Sequence, residues 1–72
     1  MMTMRQIKAA LKAKKTVVQT TSIVRDGVTV FTHSSRIMGV MMQNGSMLVQ
    51  SLEQPGQWYG SKDNGADISV RG

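Results

Sequence analysis

The chain has 72 residues, nine Lys or Arg against four Asp or Glu for a formal net charge of +5, one histidine and no cysteine. A chain this short buries only about 60% of its unfolded surface and has room for one domain, spanning the whole sequence. The missing cysteines exclude disulfide staples and thiolate zinc sites, and one histidine with four acids is a poor supply for a nitrogen and oxygen metal site, so neither metal nor other cofactor is expected.

The first predicted element is a helix over residues 4–14. Thr3 followed by Gln6 matches the S/T-x-x-E/Q capping box. Met4, Ile7 and Leu11 fall on one narrow apolar stripe, and the alanines at 9, 10 and 13 supply helix propensity. Arg5, Lys8, Lys12 and Lys15 follow spacings of three, four and three, so they stack on a neighbouring strip, with Lys14 close by. Residues 1–15 carry charges throughout and lack the unbroken apolar core of a signal peptide. The longest apolar stretch, residues 37–42, is interrupted by Gly39 and falls far short of the roughly 18 to 20 residues of a membrane span. A cytoplasmic location with no membrane partner is therefore the expectation.

Residues 16–24 change to β-branched and hydroxylated types, which suit a strand. Asp26-Gly27 then tolerates the positive φ angles of a two-residue type I′ turn, and Asn44-Gly45 repeats the device between residues 37–43 and 46–52. The first hairpin reads as largely polar through Gln19, Thr20, Thr21, Ser22, Thr29, Thr32 and Ser34. Alternation in the second places Met38, Val40, Met42, Met47 and Val49 on one face and Ile37, Met41, Leu48 and Leu52 on the other. Both faces are apolar and both need cover, from the helix on one side and from a curled sheet or a second subunit on the other.

Glu53-Gln54-Pro55-Gly56 signals a turn. Residues 57–61 and 68–70 then read as a last hairpin around Asp63-Asn64-Gly65, with residues 62–72 either a weak final strand or a loose tail. The expected fold is α+β: an N-terminal helix packed on an antiparallel meander of four or five strands, with a small barrel as its curled form.

No constellation reads as catalytic. His33 lies among hydroxylated residues without a triad or elbow spacing, and Gly27, Gly39 and Gly45 are isolated rather than a phosphate-cradling run. No enzyme is expected. The legible signal is cationic: Arg5, Lys8, Lys12, Lys14 and Lys15, extended by Arg36, Lys62 and Arg71, form a candidate phosphate-binding set. Only Gln6 accompanies the helix cations as a base-reading side chain, so little sequence specificity is expected. A merely solvated charged face is the alternative.

Trp58, Tyr59, Met38, Met41, Met42 and Met47 form a candidate partner interface, because Trp and Tyr anchor interfaces and methionine adapts to a partner; core packing is the alternative for each. The leading functional expectation is a small basic accessory protein that binds nucleic acid. Behind it stand a protein-binding module that docks on an acidic or apolar surface, of the size common among phage and mobile-element regulators, and a structural homo-oligomer subunit.

Overall fold

The computed structural model describes residues 1–71. In chain order the elements are helix α1 (Met4–Lys12), strands β1 (Thr16–Arg25), β2 (Val28–Gln43), β3 (Ser46–Ser51) and β4 (Trp58–Gly60), a 3-10 turn (Lys62–Asn64) and β5 (Ile68–Arg71). The strands form one antiparallel sheet in the order β4-β3-β2-β1-β5.

The helix begins where the capping box places it. The Gln6 backbone N–H donates to Thr3 Oγ1 at 3.2 Å, and the Thr3 N–H donates to Gln6 Oε1 at 2.9 Å. It ends at Lys12, earlier than residue 14. Lys14 takes the left-handed conformation with φ of 60°. Its N–H donates to the Leu11 carbonyl and that of Lys15 to the Ala10 carbonyl, each at 3.0 Å, which is the Schellman arrangement for capping a helix C-terminus. Lys15 therefore leaves the helical strip to which the spacing assigned it, and Lys14 leaves with it.

Both two-residue turns adopt positive φ at both central positions: 51° and 76° at Asp26 and Gly27, 51° and 79° at Asn44 and Gly45. β1 to β4 follow one another as a meander, but β5 crosses back to pair with Thr16–Gln19 of β1. The expected last hairpin is thus absent, and β4 and β5 lie at opposite edges. The intervening residues are tied elsewhere: Asn64 Oδ1 accepts from the Met47 N–H at 3.0 Å and its Nδ2 donates to the Gly45 carbonyl at 3.1 Å. Buried Gly65 accepts from the Met2 N–H at 3.2 Å. Residues 62–71 are in this way built into the body rather than left as a tail.

No backbone pairing joins β4 to β5, so the sheet stays open rather than closing into a barrel. It does curl. Gln19 Nε2 reaches the Gly60 carbonyl at 3.2 Å and the Asp67 carboxylate at 2.8 Å, and the Ser61 hydroxyl donates to the same carboxylate.

The core sits at one end of the concave face, where α1 packs across β1 and β2. It comprises Ile7, Ala10, Val17, Ile37, Val40, Met47, Val49 and Ile68, edged by Met2, Met4, Leu11 and Val70. One correction concerns the faces of β2. Ile37 pairs with Ser51 and Gly39 with Gln50, so Met38 is an extra, unopposed residue. This bulge shifts the alternation by one and turns Ile37 inward beside Val40.

A second correction concerns the first hairpin. Beyond the reach of β5 and β3, β1 and β2 continue as a two-stranded arm whose end exposes Ile23, Val24, Val28, Val30 and Phe31. The arm is polar along its length but apolar at its tip.

Candidate functional site

The Schellman turn delivers Lys14 and Lys15 to the start of β1. There they line a depression of about 260 Å³ together with Arg36 of β2, the remaining wall coming from Leu11, Thr16 and Leu52 among others. Arg71 stands opposite Thr16 in the β1–β5 register and extends the cationic end of the sheet. Arg5, Lys8 and Lys12 remain exposed on the helix. Lys62 does not join them: it lines a separate groove of about 470 Å³ beside Asp67 and the free edge of β1. Among the described residues the single approach of a basic side chain to a carboxylate is that of His33 Nε2 to Glu53 Oε2 at 3.7 Å, and no lysine or arginine has a described carboxylate partner.

Next to this depression the concave face opens into a polar pocket of about 250 Å³. The inward positions of the strands switch there from apolar to polar: Val17 is followed by Gln19 on β1, Ile37 is preceded by Ser35 and His33 on β2, and Val49 is followed by Ser51 on β3. Helix α1 covers only the apolar end. Gln54 and Tyr59 complete the lining, with Glu53 at the rim. Tyr59 points inward because it opposes Val49, and its hydroxyl donates to the Gln54 side chain. Segments 35–37 and 51–53 contribute to both hollows, joined by a hydrogen bond from the Leu52 N–H to the Arg36 carbonyl at 2.9 Å.

Ser35, His33 and Glu53 resemble a nucleophile, base and acid in type but not in geometry. Ser35 Oγ lies 2.9 Å from His33 Nε2, and Glu53 approaches the same ring nitrogen. A catalytic series needs the acid on the opposite nitrogen, where it fixes the tautomer that accepts the nucleophile's proton. No group of three or more His, Cys, Asp or Glu side chains that would hold a metal occurs among the described residues.

The candidate interface residues disperse. Met47 is buried in the core at 2% exposure and is unable to meet a partner. Met41 is half-buried, whereas Met38 and Met42 are exposed. Trp58 lies on the convex face, opposite the concave side that takes Tyr59, and its ring covers Gly39, where an added Cβ would approach it to 3.3 Å. Two features escape a reading of single segments: the apolar arm tip and the polar pocket. For the pocket a signal does exist, the change from Val17 to Gln19 and from Val49 to Ser51 at inward positions, but its meaning depends on where the helix stops covering the sheet.

No helix among the described residues is long and apolar enough to cross a membrane. Compared with known proteins, the chain matches no family model and has no significant likeness to a curated protein or a solved structure, so its own geometry carries the functional reading.

Proposed function

We propose that this chain is a small non-enzymatic accessory protein that binds nucleic acid with little sequence specificity. Phosphates are held by Lys14, Lys15 and Arg36, and the contact extends over Arg71 and the helix cations Arg5, Lys8 and Lys12. The observation that carries this reading is that Lys14 and Lys15, in the turn after α1, and Arg36 of β2 all border one depression, with no carboxylate among the described residues in ion-pair contact with them. Such a group releases condensed counterions when it meets a phosphate backbone, and lysine as a point charge reads position rather than base identity.

The test is a salt titration. Affinity for an arbitrary oligonucleotide falls linearly with salt on logarithmic axes, and Lys14→Ala, Lys15→Ala and Arg36→Ala combined reduce the slope by about 2 to 3. Binding that ignores salt, or no binding at low ionic strength, overturns the reading.

A second reading has its own support. Five apolar side chains at the arm tip and Trp58 with Met38 on the convex face stay exposed, as expected of a module that docks on a protein or on another copy. A stoichiometric protein retained from nuclease-treated lysate would favour it, as would a solution mass that grows with concentration.

A further inference from the structure

We infer that the polar pocket beside the cationic depression receives unpaired nucleobases, which makes single-stranded nucleic acid the preferred ligand. This rests on the phosphate-binding reading above and names the ligand class for the same region. Three observations converge on it.

The first is the lining. Tyr59 from β4 and His33 from β2 present aromatic rings to one hollow, and Phe31 lies nearly parallel to His33, with an interplanar angle of 9° and centroids 6.4 Å apart. Residues two apart on a strand share a face, and this ring spacing is close to twice the roughly 3.4 Å step of nucleotides along a strand. Flat apolar faces of this kind stack on bases irrespective of their identity.

The second is the hydrogen-bonding set. Gln19 keeps its amide oxygen and Gln54 its amide nitrogen, the other half of each carboxamide being engaged by Gly60, Asp67 and Tyr59, and with the Ser35 hydroxyl these match base edges rather than an apolar ligand. Glu53 at the rim accepts from exocyclic amino groups, and its charge repels phosphate, so a base rather than the backbone enters. At about 250 Å³ the hollow lies below the roughly 300 Å³ at which drug-sized pockets begin, which fits one flat heterocycle.

The third is adjacency. Segments 35–37 and 51–53 line both hollows, so a strand whose phosphates rest on Lys14 and Lys15 at the sheet end reaches the pocket within a few residues of β2, while Arg36 projects from the face opposite Ser35 and His33. A duplex keeps its bases stacked and paired, and so offers the pocket nothing.

The experiment compares fluorescently labelled single-stranded DNA, single-stranded RNA and the matching DNA duplex in anisotropy titrations at low salt. Single strands bind more tightly than the duplex. His33→Ala and Tyr59→Ala each weaken single-strand binding by roughly 5- to 150-fold, leave duplex binding unchanged and do not alter the salt slope, since they remove stacking rather than a lysine or arginine contact. Tyr59→Phe keeps the ring and keeps the affinity, which separates stacking from loss of fold. Equal affinity for single strands and duplex, or single-strand binding indifferent to both alanine variants, overturns the pocket inference while the phosphate reading stands. Failure of all three probes to bind overturns both.

Discussion

At Gly65 the chain turns from the 3-10 segment towards β5, with φ at 125°, a region open to glycine and strained for any other residue. A Cβ there would lie 1.9 Å from the Met2 carbonyl oxygen, within a contact that also includes the hydrogen bond from the Met2 N–H to the Gly65 carbonyl. Gly65→Ala is therefore expected to cost about 1 to 3 kcal/mol through backbone strain, together with displacement of the segment before α1. A urea melt with a lowered midpoint and an unchanged slope is the expected result. Lys14 shows the opposite choice, since a left-handed position that glycine would fill with less strain is occupied by lysine. That conformation carries Lys14 into the lining of the depression that Arg36 also borders. The Asp-Gly and Asn-Gly pairs were readable from residues alone because a two-residue turn depends on its own φ angles; Gly65 was not, because its constraint comes from Met2, 63 positions away in sequence but in direct contact.

Among the elements, α1 carries two kinds of stabilisation that separate by magnitude. Its capping box satisfies otherwise unpaired N–H groups at the exposed N-terminus, so Thr3→Ala costs about 1 kcal/mol. Ile7 is fully buried at 0% exposure, and Ile7→Ala costs about 2 to 5 kcal/mol through lost burial and a residual cavity. Thermal melts of the two variants check the order: the Ile7 variant melts well below the Thr3 variant, which itself falls about 4 to 8 °C for a domain of this size. Near-equal midpoints would mean that the helix is not docked as described. The strands show why periodicity has limits. Alternation predicted the second hairpin but misassigned Ile37, because one unopposed residue at Met38 inverts the positions before it relative to those after it and no local signal marks it. The last strand was visible as a short apolar run, yet its partner was not, since pairing with β1 instead of β4 is settled by the route of the 3-10 turn.

The whole molecule combines a +5 charge with cations that lack carboxylate partners among the described residues. Self-repulsion therefore opposes the compact state without the compensation that salt bridges would give. Adding salt from low ionic strength to about 0.15 M, where the Debye length shortens to about 8 Å, is expected to raise the melting temperature while weakening oligonucleotide binding. Opposite signs in the two measurements are the outcome to look for; a melting temperature that falls with salt would point to internal ion pairs instead. Of the eight candidate phosphate-binding residues, three line one depression, Arg71 neighbours it, three stay on the helix and Lys62 stands apart. Charge is a property of composition, but convergence is a property of the curl.

The sequence by itself determined the class of the fold, the start of the helix, both two-residue turns and the sign of the molecular field, because each depends on neighbours within a few residues or on composition alone. Only the tertiary structure decided which strands pair, which face Ile37 takes, and that Lys14 and Lys15 border one depression with Arg36. It also decided that Gln19, His33, Ser35 and Tyr59 line one hollow. Those arrangements join residues up to 55 positions apart, as in the pairing of Thr16 with Arg71, and they follow from how far one short helix covers a curled sheet, a quantity that no single segment encodes.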